Sequence, residues 1–461
     1  MVLEAGVARG TESIPDPVAL RYAVLVYLAV LPIGHIWALP VNGAVATLSD
    51  VFLALVLLAG AVDLVRMIPD YLVRRGEPVL LLPSLRSFHV AALLFVALSA
   101  WVALSGTWGF HPDYALTKGA AYAALGLGAL GIVWCGAPWG RAADAWLIGT
   151  AICVIVTWIL VLVPGPLRER MVFRAGSIRG LPVPRLSGPF LHPTMFGDYL
   201  VVSGALLWSR WKALRHVLGV WAAVGAWALG VTLFFTVSSA WLAGGVLLAV
   251  IGLLTMRQRE GRLSIPVNRP GPVILVAGGV AIATMTLVGL LMPMGYSVGS
   301  LSVSASGIRP AIWASAWQAV LESPLAGVGA SPYLAEAADP LTGSGAESLW
   351  DAHSLYLSLV GQFGVVGLAL FLGAVAILVR ALIREGTTRR HAALLAALFA
   401  VAVHGVTVAS EDFRHVWALL GLVGLAGVPE WAQGRWWKAE IERRGGAESD
   451  AAREDPGAET A

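Results

Sequence analysis

Long apolar segments recur along almost the whole chain, each close to the length that a helix needs to cross a bilayer. About 20 apolar residues span a ~30 Å hydrocarbon layer, where a helix satisfies its own backbone hydrogen bonds. With 58% hydrophobic and 13% charged residues, the composition excludes an ordinary soluble domain. The sequence therefore predicts an all-α integral membrane protein with about twelve transmembrane helices. The predicted spans are residues 20–38, 46–66, 87–105, 114–135, 143–163, 190–209, 215–233, 235–255, 272–292, 353–380, 391–410 and 413–430.

The distribution of arginine and lysine predicts the orientation of these spans. Loops on the cytoplasmic side carry an excess of both residues, and the fit is best with both termini inside. We expect a cytoplasmic segment at 1–19 without a cleavable signal, a polytopic domain at 20–430 and a polar cytoplasmic tail at 431–461. The loop cations on the predicted inner side are Arg66, Arg74, Arg75, Arg86, Arg141, Arg210, Lys212, Arg215, Arg257, Arg259, Arg262, Arg269, Arg380, Arg384, Arg389 and Arg390.

Two long loops are predicted on the opposite, extracytoplasmic side, at about 164–189 and 293–352. The first departs from the positive-inside rule because it is rich in arginine, which offers a planar set of donors matched to phosphate. Several of these side chains around a cavity would hold a diphosphate, whereas contact with anionic lipid headgroups is the plainer alternative. The arginines are Arg168, Arg170, Arg174, Arg179 and Arg185.

The second long loop lies between the ninth and tenth predicted spans. Its segment 308–325 has a helical pattern with Trp313 and Trp317 four residues apart, which is typical of a helix at the membrane interface. Arg309 begins that helix, where a guanidinium and free backbone amides together favour an anion. Asp351 and His353 come at the mouth of the next span, where a histidine can take a proton near neutral pH.

Several ionisable residues fall inside or beside predicted spans, where their cost indicates pairing or function. We expect Glu411, Asp412 and Arg414, which share a short outer turn, to pair with one another. The remaining residues of this kind are Lys118, Asp198 and His404. Cys135 and Cys153 lie in or beside apolar spans and predict no disulfide framework.

Four segments, in order, resemble the O-antigen ligase and O-antigen polymerase family of membrane glycosyltransferases. RLSGPFLHPTMFGDYL (185–200) is similar to the family's Arg-x-x-Gly-x-Phe-x-x-Pro-Asn-x-x-Gly stretch, and LFFTVSSAWLAGGV (233–246) to its Thr-x-Ser-Arg stretch. Residues 306–333 resemble its Arg…Trp…Pro-Leu-x-Gly-x-Gly stretch, and 351–371 its His-x-x-Tyr-Leu…Gly-x-x-Gly run. The chain departs from the pattern at Thr194, where the family usually has Asn, and at Ser239, where it usually has Arg.

The resemblance implies transfer of a glycan from an undecaprenyl-diphosphate carrier to an acceptor hydroxyl, with inversion and without metal or other cofactor. It assigns Arg185 and Arg309, with Arg179 and Arg174, to binding of the donor diphosphate. It assigns His353, with Asp351, to the acceptor hydroxyl. The expected catalytic residues are Arg309, His353 and Asp351. The expected location is the bacterial inner membrane, with an extracytoplasmic active site.

Three possible functions within this family differ in the acceptor that they use. An O-antigen ligase uses lipid A-core, a polymerase uses a growing polysaccharide, and a protein-glycosylating relative uses Ser or Thr. A transporter of lipid-linked glycan is the alternative from another class, although no internal hydropathy repeat supports it. Membrane lipids are expected partners, and nucleic acid is not.

Overall fold

The structure is a computed structural model that describes residues 18–34, 38–41, 44–73, 83–163, 165, 168, 171–178, 181–190, 192–260, 270–291, 296–298, 301–303, 309–331, 352–384 and 388–427. Within these ranges the chain forms thirteen α-helices and three two-stranded ribbons. The helices are α1 (Val18–Val30), α2 (Leu48–Val73), α3 (Pro83–Leu104), α4 (Pro112–Trp134), α5 (Trp139–Leu162), α6 (Pro193–Leu218), α7 (Val220–Phe234), α8 (Ser238–Glu260), α9 (Pro270–Leu291), α10 (Arg309–Glu322), α11 (Leu355–Arg384), α12 (Arg389–His404) and α13 (Arg414–Ala426).

The helices identify the chain as an α-helical membrane protein, as the sequence predicts. Five are long and apolar enough to cross a bilayer: Leu48–Val65, Ser87–Thr107, Pro112–Trp134, Trp139–Leu162 and Leu355–Arg384. Five shorter helices among the described residues are also apolar. Each predicted span coincides with a helix, and α10 is the additional helix expected in the second outer loop. The number of helices that cross the membrane stays a prediction.

Three short antiparallel ribbons accompany the helices within the described ranges. Their strands pair β1 (Ala38–Val41) with β2 (Ala44–Thr47), β3 (Val172–Ile178) with β4 (Leu181–Leu186), and β5 (Tyr296–Val298) with β6 (Leu301–Val303). The β3–β4 ribbon lies in the arginine-rich loop, where prolines concealed the strand pattern. A two-stranded ribbon tolerates proline because both of its strands are edges.

Helix packing joins segments that are distant in sequence. Helix α4 packs against α3 and α13, while α12 packs against α6 and α8. The fully buried aromatic side chains include Trp146, Tyr199 and Trp417. Large apolar residues also face outward, such as Leu58, with 62% of its surface exposed, and Trp227, with 70% exposed. A surface of this kind suits lipid better than water.

Polar contacts between helices join ends that the topology predicts to lie on the same side. At one end, Arg210 of α6 binds Asp144 of α5 through two hydrogen bonds of 2.8 Å. At the other end, Lys118 Nζ of α4 lies 3.2 Å from the Asp412 carboxylate, before α13. The pairing of helix ends is therefore consistent with alternating spans, whichever end faces the cytoplasm.

Candidate functional site

Helix α11 is broken at Gly364, and a glycine-rich segment fits against the break. Hydropathy predicts one continuous span at 353–380, but Gly364 has φ 67° and ψ −173°. The amides of Val328 and Gly329 donate to the carbonyls of Gly361 and Gln362, each at 3.0 Å. On the other side of α11, the Trp101 indole donates to the Phe363 carbonyl at 2.9 Å. The break frees carbonyls of α11 to bind segment 324–331 and α3.

Two glycines allow this close approach. A Cβ at Gly364 would overlap the Leu325 carbonyl, and a Cβ at Gly327 would overlap the backbone of Gln362. Both residues have positive φ, which side-chain-bearing residues rarely adopt. The Pro-Leu-x-Gly-x-Gly pattern and the glycine run of α11 are thus two halves of one packing contact.

His353 lies immediately before α11 in an uncommon backbone conformation. Its φ of 45° is the only positive φ of a non-glycine residue in the part of the chain that the structure describes. Its neighbours Ala352 and Ser354 are buried, and the Leu355 amide lies 2.7 Å from the Gly405 carbonyl. Left-handed conformations of this kind persist where the surroundings enforce them, often at functional sites. His353 itself is partly exposed, as a group that meets a substrate must be.

A buried acid lies beside the same end of α11. Glu411 is 2% exposed, and one of its carboxyl oxygens accepts a hydrogen bond from the Ser358 hydroxyl. Gln362, one turn further along α11, donates to Ser358 Oγ at 2.8 Å, and its side-chain oxygen lies 3.4 Å from the Ser331 amide. Polar side chains four residues apart on α11 therefore connect Glu411 to the glycine-rich segment. Ser358 and Gln362 are not among the residues predicted from the sequence, although their spacing places them on one helix face.

Lys118 supplies the countercharge to this acid. Its ammonium lies 3.9 Å from Glu411 and 3.2 Å from Asp412, which is partly exposed. It is also within 6 Å of the ring centroids of Tyr114, Tyr122 and Phe363, a distance suited to cation–π attraction. One buried carboxylate, of Glu411, and one that reaches solvent, of Asp412, therefore share this ammonium.

The ionisation of Glu411 is set mainly by burial. Burial raises the pKa of Glu411 to about 7, against the opposing effect of Lys118. Its second carboxyl oxygen is buried, and no described residue forms a hydrogen bond with it. A carboxyl group with a pKa near 7 can accept or release a proton at neutral pH.

A second polar centre surrounds Asp198, which is fully buried in the second turn of α6. His404 Nδ1 lies 2.8 Å from one carboxylate oxygen, and His415 Nε2 lies 2.9 Å from the other. His404 Nε2 lies 3.2 Å from the Ser239 hydroxyl. Because His404 ends α12 and His415 lies in the first turn of α13, Asp198 fixes both ends of the turn that carries Glu411.

Arg414 does not pair with Glu411 or Asp412, which corrects the expectation for this outer turn. It forms two hydrogen bonds of 2.6 Å to the carboxylate of Asp50, at the start of α2. Thr47 also donates to Asp50 through its amide, at 2.6 Å. The acids of the turn pair instead with Lys118, because Arg414 points toward another helix.

The structure describes three of the four arginines of the predicted donor site. Arg185 lies in β4, where burial lowers the pKa of its guanidinium, and the next amide, of Leu186, donates to the Phe235 carbonyl at 2.7 Å. Arg174 lies in β3, and Arg309 begins α10. Arg179 and Asp351 lie outside the described residues.

Helix α10 lies where the sequence predicts an interfacial helix, and the structure shows which of its residues are buried. Ala316, Ala319 and Val320 form its buried face, and Ala352, beside His353, packs in the same cluster. Trp317 is 54% exposed, which suits a tryptophan facing the membrane surface. One face of α10 therefore packs beside the segment that carries His353.

Comparison with known proteins identifies the middle of the chain. Residues 224–372 match the family model described as O-antigen ligase (Wzy_C). A search of curated proteins finds no match. The matched region includes Ser239, α10, His353 and the break in α11, whereas Asp198 and Glu411 lie outside it.

Proposed function

We propose a specific transfer reaction for this membrane glycosyltransferase-like enzyme. The O-antigen ligase match at residues 224–372, which confirms the predicted resemblance, supports the proposal. The protein moves a glycan from undecaprenyl diphosphate to an acceptor hydroxyl at the outer face of the bacterial inner membrane. Both termini lie in the cytoplasm in this proposal. Lipid A-core is the proposed acceptor.

The proposed step is a single displacement. The acceptor oxygen forms a bond to the anomeric carbon, the bond from that carbon to the diphosphate oxygen breaks, and the configuration inverts. The diphosphate leaves with the electron pair, so negative charge grows on it in the transition state. Arg185 and Arg309, assisted by Arg174 and Arg179, stabilise that charge, and fixed cations in a site of low dielectric do so effectively.

The hydroxyl proton passes to a base at the N-terminal end of α11. His353 takes or directs it in this proposal, with Asp351 nearby, and the single supporting observation is the enforced left-handed backbone of His353.

The test is transfer from a labelled undecaprenyl-diphosphate glycan to lipid A-core by purified protein in lipid, with EDTA present. We expect Arg309→Ala and Arg185→Ala to lose about 100-fold or more in turnover, the size found when one transition-state donor is removed. His353→Gln should lower turnover and change its pH profile. Arg384→Ala, an exposed arginine at the far end of α11, is the matched control and should keep full activity.

The outcomes separate the competing functions. Elongation of the lipid-linked glycan itself, without transfer to lipid A-core, would identify a polymerase. Movement of the labelled donor across the bilayer without any product would identify a transporter. Full activity of a stably inserted Arg309→Ala protein would contradict its role at the diphosphate.

A further inference from the structure

A basic cavity lies at the opposite end of the helices from His353. It has a volume of about 580 Å³, within the range of small-molecule sites. Its lining consists of Trp211, Lys212, Arg215 and His216 from α6, with Arg389 from α12. The transfer reaction proposed above uses none of these residues.

Arg389 is the most constrained cation of this cavity. Its guanidinium carbon lies 5.0 Å from the centroid of the Trp208 ring, so the group stacks on the indole. Its Nε is buried and has no hydrogen-bond partner among the residues that the structure describes. Burial also lowers the pKa of Arg389. A buried guanidinium donor without an acceptor is costly, and an anionic ligand would remove that cost.

Asp144, an acid of the neighbouring helix α5, already has a partner. Asp144 accepts two hydrogen bonds of 2.8 Å from Arg210, one residue before Trp211. Among the residues that the structure describes, Lys212, Arg215 and Arg389 form no salt bridge. Within the described part of the chain, the cavity therefore collects positive charge without a salt-bridged carboxylate.

The surface beside the cavity is strongly apolar. Val217 is 77% exposed, and Val220 and Trp221, just after the end of α6, are 71% and 70% exposed. Exposed valines and a tryptophan next to basic side chains are typical of the membrane–water boundary. A soluble anion would use only the cations, whereas a lipid would use both surfaces.

We propose that this cavity binds the phosphate of an anionic phospholipid, with the acyl chains along the apolar surface of the α6–α7 turn. Arg389 donates to the phosphate oxygens from its stacked position, and Lys212 and Arg215 add charge from α6. Basic pockets between membrane helices on the cytoplasmic side bind lipid headgroups in this way. The arginine distribution predicts that the cavity lies on that side.

The experiment measures thermal unfolding of the full-length protein in mixed micelles of a neutral detergent and phosphatidylcholine, with phosphatidylglycerol titrated in. We expect phosphatidylglycerol to raise the unfolding temperature of the wild type, and Arg389→Gln to bind it about tenfold more weakly, as loss of a charge-assisted contact predicts. Lys212→Gln with Arg215→Gln, both exposed, tests the site without altering the Trp208 stack. Arg384→Gln, an exposed arginine outside the cavity, is the matched control.

Inorganic phosphate and pyrophosphate are tested in parallel. Stabilisation by phosphatidylglycerol alone, lost in the cavity variants and kept in Arg384→Gln, supports the lipid site. Equal stabilisation by pyrophosphate supports the anion site and assigns it to a soluble phosphate, which overturns the lipid source. An identical response of the wild type and all cavity variants to phosphatidylglycerol overturns the site itself.

Discussion

Replacement of Asp198 should destabilise the protein far more than replacement of an exposed acid. Asp198 is 0% exposed and holds His404 and His415 at 2.8 and 2.9 Å, one on each carboxylate oxygen. Asp198→Ala leaves two buried imidazole N–H groups without acceptors, at roughly 1–3 kcal/mol each. The sum, roughly 2–6 kcal/mol, agrees with the roughly 3–5 kcal/mol lost when a buried pair is broken. Asp198→Asn keeps one acceptor oxygen and should lose about half as much as Asp198→Ala.

The assay is reversible unfolding of the purified protein in mixed micelles, followed through tryptophan fluorescence. Asp144→Asn is the matched control, because its pair with Arg210 has a carboxylate side chain that is 38% exposed. A pair that keeps contact with water contributes about 0–1 kcal/mol, so this variant should unfold much closer to the wild type than Asp198→Ala does. Equal free energies of unfolding for Asp198→Asn and Asp144→Asn would refute the reasoning.

Two further predictions concern the break in α11 and the outer turn. Gly364→Ala should destabilise the protein by roughly 2–4 kcal/mol, because the new side chain would combine backbone strain at positive φ with overlap on the Leu325 carbonyl. Gly373→Ala, in the same helix, is the control and should have little effect, because a Cβ there meets only ordinary contacts. Equal thermal unfolding of the two variants would exclude the packing contact. Because the pKa of Glu411 is raised to about 7 by burial, the folded state binds more protons than the unfolded state between the ordinary and raised values. Stability should therefore fall as pH rises from about 4.5 to about 7, by up to about 3 kcal/mol, and Glu411→Gln should remove this slope. Asp113→Asn, an exposed acid of α4, should keep the slope in the same unfolding measurements, and a slope that survives in Glu411→Gln would show that another group carries it.

Hydropathy predicted the helices because lipid and a helical backbone impose one length and one composition on each span. The same signal does not reveal a break inside a span. At Gly364 the surrounding residues stay apolar, and the backbone departs from helical geometry only because segment 324–331 packs there. A glycine in a helical pattern is compatible with either outcome, so the tertiary contact decides.

Pairing between distant residues was the other limit of the sequence. Asp50 and Arg414 are 364 positions apart, and nothing in their local patterns links them. The cost of an isolated charge in a membrane did indicate that Arg414, Glu411 and Lys118 need partners. Which partners they have depends on helix packing, because α4 and α2 bring Lys118 and Asp50 to the same end as the α12–α13 turn.

The serine at position 239 bears most directly on where donor-binding cations should be sought. Its side chain is 3% exposed and contacts His404, so a diphosphate could not reach this position without displacing the Asp198 centre. The β4 strand, however, is fastened to the turn just before α8, because the Leu186 amide donates to the Phe235 carbonyl at 2.7 Å. This hydrogen bond holds Arg185 next to the turn that leads to Ser239. The proposal that Arg185 supplies the cation absent at position 239 therefore predicts that Arg185→Ala has the greatest effect on donor binding.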